Sequence, residues 1–329
     1  MMKLSSMVKV VETVTDEWKS PLAEKILERW GYDKGTVYYF RSSANFLFVF
    51  KRNGNSYFLR FIDSSEKDFS QIESEMEILE YLRNQPIRVA LPVASLTGNL
   101  IETIETDIAT FHAVVFEALA GDQFEVEDLQ QNDFNLWGRQ LGRLHKIFKA
   151  MPMECRESRM NWQEQLSLAE KALPEHEEAA RKELAELKEW AEGLPISNEN
   201  FGLIHYDFEL DNHRWLNDDI GILDFDDCMT HWYVADIAFA LRELLKTDAG
   251  PKNPNVIEFI NGYQEECQLD AQLIADFPNF IRMHNFLTFV GLLRTVDIQE
   301  SDRHPEWLGN LRAKLVEYIN YYRSAFMKI

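Results

Sequence analysis

Two runs of aromatic and β-branched residues, Asn45–Arg52 (NFLFVFKR) and Tyr57–Asp63 (YFLRFID), flank the dipeptide Asn53-Gly54. An Asn-Gly pair supplies the two positive-φ positions of a tight hairpin turn, so this stretch is committed to an antiparallel ladder. Thr36–Arg41 adds a third strand-like run, and Leu100–Thr106 with Thr110–Phe116 adds another pair. Between them Glu66–Asn84 carries Ile72, Met76, Leu79 and Leu82 on one side at helical spacing. Ahead of the sheet, SPLAEKILERWG (residues 20–31) has a capping Ser20, Pro21 at the first helical position and a terminating Gly31. The first 120 residues therefore read as a mostly antiparallel sheet carrying helices at its edges.

The pattern changes at Gly121. From about Asn132 the chain is mostly helical, beginning with Phe134–Lys149, where Leu136, Trp137, Leu141, Leu144 and Phe148 recur at helical spacing. Trp162–Leu194 is a long charged helix that Pro174 should break or bend. Val234–Lys246, Asn255–Cys267, Asp270–Val296 and His304–Phe326 also read as helices. The expected architecture is α+β: a small antiparallel-sheet lobe over residues 1–118, then a larger mostly helical lobe over 119–329, joined near 116–121. No internal repeat or low-complexity tail is present.

With 46% hydrophobic residues and 22 Phe, 11 Tyr and 8 Trp, the chain has ample material for a core. Its formal net charge of -21 weighs against nucleic-acid backbones and anionic membranes, both of which need Lys and Arg. Cys155, Cys228 and Cys267 are odd in number and widely spaced, which points to reduced thiols and a cytoplasmic protein. Lys9 and Glu12 interrupt any apolar leader at the N-terminus, and no run approaches the roughly 18 apolar residues of a membrane span.

The segment FGLIHYDFELDNHRW…GILDFDD carries the chemistry. His205, Asp207 and Asn212 follow the order H-x-D-x-x-x-x-N. A short strand pair, His213–Leu216 and Ile220–Leu223, then presents Asp224-Phe225-Asp226. Phosphoryl transfer explains why these types should converge, because catalysis there is positioning plus charge stabilisation. One carboxylate must orient an acceptor hydroxyl and take its proton, which fits Asp207. Magnesium takes hard oxygen ligands, which fits the Asn212 amide and the Asp224 carboxylate. Asp226 either joins the magnesium ligands or positions Asp224. His205 is placed in the catalytic loop as its orienting residue.

On these motifs the chain resembles the aminoglycoside phosphotransferase and choline kinase family, which has the protein-kinase-like fold. The resemblance spans roughly residues 36–240 and is most specific over 201–236. It implies a catalytic Asp207, magnesium held by Asn212 and Asp224, and Asp236 of HWYVADIAFAL as a structural residue that caps a helix or braces the loop. It also implies that Arg60 touches ATP phosphates and pairs with Glu75, with Glu73 and Glu77 as rivals for that pairing. Arg41-Ser42-Ser43-Ala44-Asn45 matches the nucleotide loop in position, so Ser42, Ser43 and Asn45 become candidate phosphate donors. HAVVFEALAG (112–121) resembles the hinge that receives adenine. His145 of LGRLHK is expected to be packed, not catalytic.

Three departures stand out. The nucleotide turn contains no glycine, Tyr206 occupies a position where the family often has Gly, and Glu209 stands where protein kinases place a Lys. The last argues against protein-kinase activity and leaves either a cationic acceptor or a solvated loop, of which the solvated loop is preferred. The expected activity is transfer of the ATP γ-phosphate, with Mg2+, to a hydroxyl of a small molecule such as an amino sugar, amino alcohol, homoserine or sugar. The chain's acidity suits an amine-bearing acceptor. The rival readings are a non-catalytic kinase-like nucleotide-binding module and a metal-dependent hydrolase. Neither the acceptor nor the oligomeric state is written in a motif.

Overall fold

The computed structural model describes residues 1–246, 250–301 and 304–328. Two short helices open the chain, α1 (Leu4–Val11) and α2 (Pro21–Leu27). The Ser20 hydroxyl accepts from the Ala23 amide, and Pro21 fills the first turn, so α2 begins where its punctuation says it should. The sheet follows as β1 (Tyr38–Ser42), β2 (Phe46–Arg52) and β3 (Asn55–Asp63), then α3 (Phe69–Leu82), β4 (Pro92–Val93), β5 (Ile101–Glu105) and β6 (Thr110–Glu117).

Asn53 and Gly54 have φ of 52° and 80°, the paired positive values of a type I′ turn. That turn fixes the β2–β3 register, with Phe46 opposite Phe61 and Phe48 opposite Leu59. The strand order is β1-β2-β3-β6, and both β4 and β5 pair with β6. One face buries Phe46, Phe48 and Phe61, with the Phe48 and Phe61 rings stacked at 5.6 Å. Against this sheet α3 buries Ile72, Met76 and Leu79, and also Glu75.

The helical part comprises α4 (Gln131–Ala150), α5 (Met153–Glu157), α6 (Trp162–Ala172) and α7 (Glu178–Glu192). The expected long helix at 162–194 is thus two helices broken around Pro174. Two small antiparallel pairs come next. β7 (Phe201–Ile204) pairs with β10 (Met229–Trp232), and β8 (His213–Leu216) pairs with β9 (Asp219–Ile222). Then come α8 (Tyr233–Ala240), α9 (Arg242–Leu245), α10 (Pro254–Gln264), α11 (Ala271–Ile274), α12 (Phe277–Thr295) and α13 (Glu306–Phe326).

Helices α4 and α10 approach closely through Gly138 and Gly262. A Cβ on Gly138 would meet the Phe259 carbonyl oxygen at 1.9 Å, and one on Gly262 would meet that of Asn135 at 1.9 Å. The join between the two parts is braced by Arg88. Its Nη1 donates to the Ala120 carbonyl and its Nη2 to the Arg214 carbonyl, both at 2.7 Å.

Helix α1 was not anticipated. Leu4, Met7 and Val10 are buried, and the polar residues between them lie on the outer side or bond across the molecule. The Ser5 amide donates to Asp297 (3.0 Å), and the Ser6 hydroxyl donates to Glu66 (2.6 Å), whose carboxylate also pairs with Arg294. The chain ahead of the sheet is therefore fastened to the end of α12 as well. Among the described residues no helix is long and apolar enough to cross a membrane.

Candidate active site

Strand β7 delivers the chain to Ile204, and residues 205–212 then turn across the cleft between sheet and helices. Asp236 on α8 holds that turn. Its Oδ2 accepts from the His205 amide, its Oδ1 from the Tyr206 amide (both 2.8 Å), and Oδ2 also faces His145 Nε2 at 3.0 Å. Asp236 and His145 are both fully buried. Burial pushes the His145 imidazole below its ordinary pKa, so it is neutral and donates from Nε2 while Nδ1 accepts from the Tyr263 hydroxyl at 2.9 Å. Asp236 thus braces the loop, and His145 is packed behind it.

Tyr206 has φ of 73°, in the left-handed region that favours glycine. That is the physical reason a Gly suits this position. Here the hydrogen bonds that the His205 and Tyr206 amides donate to Asp236 hold the strained backbone, and the ring packs against Phe239 at 5.1 Å. His205 is completely buried and donates from Nε2 to the Leu223 carbonyl at 3.0 Å. It therefore couples the two motif loops, as an orienting residue would, and does not reach the reacting space.

Asn212 lies beside Asp207. Its Nδ2 donates to the Asp207 carbonyl oxygen (3.0 Å) and to Oδ2 (2.8 Å), and its own carbonyl accepts from the Leu223 amide at 2.8 Å. These bonds leave the Asn212 amide oxygen uncommitted and set it next to Asp224. Asp224 is also left-handed (φ 58°), and about 30% of its side chain stays open to the cleft. Burial nevertheless dominates its titration. With Asp226 and Glu75 nearby it outweighs the opposing Arg60, and the pKa rises to about 6. One amide oxygen and one cleft-facing carboxylate fit magnesium, which keeps waters and phosphate oxygens for its remaining positions. They do not make an all-protein cage, and no group of three or more His, Cys, Asp or Glu stands at metal-binding spacing among the described residues.

From the sheet side, Arg60 on β3 reaches the same point. Its Nη1 donates to Glu75 Oε1 at 2.9 Å and to Asp224 Oδ1 at 3.4 Å, and its Nη2 pairs with Glu75 Oε2. The buried partner is Glu75; Glu73 and Glu77 are exposed. Burial alone would lower the Arg60 pKa, but Glu75 and Asp226 raise it above its ordinary value. Phe116 lies under the guanidinium at 4.9 Å.

Asp226 is already engaged. Its Oδ1 pairs with Lys67 and lies 4.0 Å from Arg60, and its Oδ2 accepts from Asn45 Nδ2 at 3.1 Å. Burial would raise its pKa, yet Lys67 and Arg60 hold it well below the carboxylate range. Of the two roles considered for Asp226, this geometry fits positioning and leaves little of the carboxylate for a metal. The nucleotide turn divides similarly: the Asn45 side chain is used by Asp226, the Ser43 backbone carbonyl accepts from the Met2 amide at 2.9 Å, and the buried Ser42 hydroxyl has no partner.

Glu209 is not solvated as expected. It forms an ion pair with Arg242, and its backbone amide donates to the Asp207 carbonyl at 2.9 Å. Burial raises Asp207 well above the usual carboxylate range, with Glu209 adding to the effect, while Arg242 overcomes burial and keeps Glu209 below its ordinary value. Sequence reading also missed Lys67 and Arg159. Arg159 donates from Nε to the Cys228 carbonyl (2.6 Å), from Nη1 to the Gln71 carbonyl and Ser74 hydroxyl (both 3.0 Å), and from Nη2 to the Asp226 carbonyl. It ties α3 to the second motif. Lys67 had one available signal: it is the only cation between Arg60 and Arg83 in an otherwise acidic stretch.

The phosphotransferase enzyme family model matches residues 40–265. The chain belongs to that family. It is 28% identical over 296 residues to the amicoumacin kinase of Bacillus subtilis (strain 168), covering 86% of this chain and 88% of that protein. Among solved structures it is similar to an amicoumacin kinase in complex with AMP-PNP and Ca2+, at 24% identity and a TM-score of 0.78, covering 96% and 95% of the two chains. It is also similar to a microcompartment-associated aminopropanol kinase, at 20% identity and a TM-score of 0.72, covering 93% and 96%. The fold is the two-lobed protein-kinase-like fold, α+β, with a small sheet lobe and a larger helical lobe. The protein is an ATP-dependent phosphotransferase that uses a divalent metal, typically Mg2+, and acts on a small-molecule hydroxyl.

Proposed function

We propose that Asp207 orients the acceptor hydroxyl and takes its proton, and that Asn212 and Asp224 are the magnesium ligands. The observation that carries this is the pair of hydrogen bonds that Asn212 Nδ2 donates to Asp207, beside an Asp224 held by Arg60 from the opposite lobe. Held by Asn212 and Asp224, magnesium would supply positive charge to offset that of the phosphate oxygens. Arg60 fixes the orientation of Asp224, and Glu75 fixes Arg60. Asn212 holds the Asp207 carboxylate in place, and His205 keeps the two loops at constant separation. The raised affinity of Asp207 for a proton makes it a competent acceptor as the hydroxyl oxygen attacks. In this reading residues 1–118 form the nucleotide lobe and 119–329 the catalytic and acceptor lobe.

We further infer that the acceptor carries an amine. Asp207 feels Glu209, Asp227 and Asp224, so an ammonium group near the acceptor hydroxyl would lower the repulsion among them. The name of one similar kinase supports this, since aminopropanol is an amine-bearing alcohol. A cytoplasmic setting and the absence of nucleic-acid partners accord with free thiols and a net charge of -21. The test is acceptor-dependent ATP consumption across amine-bearing alcohols and their amine-free analogues, with wild type and Asp207→Ala. A rate confined to amine-bearing acceptors and lost in the variant is expected. Equal rates on amine-free analogues would refute the amine, and wild-type turnover in Asp207→Ala would refute the base.

A further inference from the structure

Arg60, the cation anticipated for the ATP phosphates, is heavily committed. Glu75 occupies both of its terminal nitrogens, and Asp224 shares one of them. A multiply charged phosphate chain needs cations that are not already paired. Two stand on opposite walls of the same cleft, a cavity of about 130 Å³ that runs from Phe116, Glu117 and Leu119 of the hinge segment to Arg60 and Asp224, with Arg41 and Arg214 in its lining.

Arg41 lies on β1 directly opposite Leu47 of β2, so the two side chains share one face of the sheet. Its Nε is buried without a hydrogen-bond partner, and among the described residues its side chain has no ion pair. Arg214 lies on β8, two residues after Asn212, where it rises from the helical lobe. Its Nη1 donates to Gln123 Oε1 at 3.1 Å and to the His213 carbonyl at 2.8 Å, both neutral, and it too has no ion pair among the described residues. Asp211, which lines the same cavity, accepts from Gln123 at 3.3 Å. Two like-charged guanidinium groups thus line one cleft with no carboxylate paired to either among the described residues, and they repel, in a chain whose net charge is -21 and which has carboxylates in excess to offer. Such a pair is stabilised by an anion placed between them, and guanidinium is suited to bidentate contact with phosphate oxygens.

We propose that Arg41 and Arg214 form an interlobe clamp on the phosphate chain of the nucleotide. The clamp rests on the nucleotide reading above and adds two residues that the family motifs do not supply. It gives the nucleotide an electrostatic role in drawing the lobes together, because the repulsion between the two walls is relieved only when phosphate lies between them.

The experiment is calorimetric titration of wild type, Arg41→Met, Arg214→Met and Arg214→Lys with Mg-ATP, Mg-ADP and adenosine, at low and moderate salt. Methionine keeps the unbranched stem and removes the charge. Each Met variant should bind ATP at least about tenfold more weakly, equivalent to about 1.4 kcal/mol. Adenosine affinity should change by less than about twofold, the ATP loss should shrink at higher salt, and Arg214→Lys should recover part of it. The unliganded Met variants should melt no lower than wild type, since a repulsion has been removed. Equal losses for adenosine and ATP would overturn the proposal in favour of contacts to the base, and unchanged ATP affinity in both Met variants would overturn it outright. If Arg214→Met melts lower, Arg41→Met decides alone. Wild type that binds no ATP would refute the nucleotide reading itself, a result visible before any variant is compared.

Discussion

Replacing Asp236 with Asn changes one oxygen to an NH2 group and almost no volume, so its cost is a hydrogen-bond cost. In the native site Oδ2 receives the His205 amide and His145 Nε2, and Oδ1 receives the Tyr206 amide. If the Asn oxygen takes the first pair, its NH2 faces the Tyr206 N–H, donor against donor; the flipped rotamer sacrifices two donors instead. One buried amide is then unsatisfied at about 1–3 kcal/mol, and two charge-assisted bonds become neutral at about 1 kcal/mol each. The sum is about 3–5 kcal/mol. An unfolding entropy of about 2.1 cal/mol/K per residue over 329 residues gives about 0.7 kcal/mol/K, so the melting temperature should fall by about 4–7 °C. Differential scanning calorimetry measures the fall directly. Because the lost bond anchors Tyr206 in its left-handed conformation beside Asp207, kcat should fall as well while ATP affinity holds. A variant melting within about 1 °C of wild type with unchanged kcat would refute the claim that Asp236 holds the catalytic loop.

Asp207→Ala should lower kcat by about 10²–10⁴-fold, the range of positioned proton transfer, with nucleotide affinity nearly unchanged in the same titration. Arg60→Met strands the fully buried Glu75 and should cost about 3–5 kcal/mol in urea unfolding, whereas adding Glu75→Met should restore much of that stability without restoring activity. A double variant as unstable as the single would show that Glu75 is not stranded. Gly138→Ala forces its Cβ into the Phe259 carbonyl and should destabilise by about 1–3 kcal/mol or more, with Gly262→Ala matching it from the other helix; unchanged melting of either would contradict the close contact.

Much of the fold could be read because its instructions are local. Asn53-Gly54 sets a hairpin, Pro174 breaks a helix, and Ser20-Pro21 starts one, each within a few residues of its effect. Asp207, Asn212 and Asp224 were findable for the same reason: they lie within 18 residues, on one turn and one short strand pair. What was missed acts at a distance. Lys67 meets Asp226 across 159 positions, and Arg159 meets Ser74 across 85, so no spacing rule brings them together. Glu209 looked solvated because Arg242, its partner, lies on a helix whose packing the sequence does not specify. Helix α1 escaped notice because it has only eight residues, and its polar positions look like interruptions until Glu66 and Asp297 appear opposite them.

Helix α1 also bears on how the cleft can move. A body attached to another at one flexible point can turn about any axis through that point. Here the lobes meet along the connection near 116–121, and again where Glu66 and Ser5 are bonded to Arg294 and Asp297. Two attachments leave one easy rotation, about the line between them, and turn a loose swivel into a door. Contacts away from that line must stretch whenever the door swings. Those of Lys67 with Asp226, and of Arg159 with Gln71 and Ser74, run between the lobes beside the carboxylates, so opening to release product and slackening of the catalytic loops become a single motion.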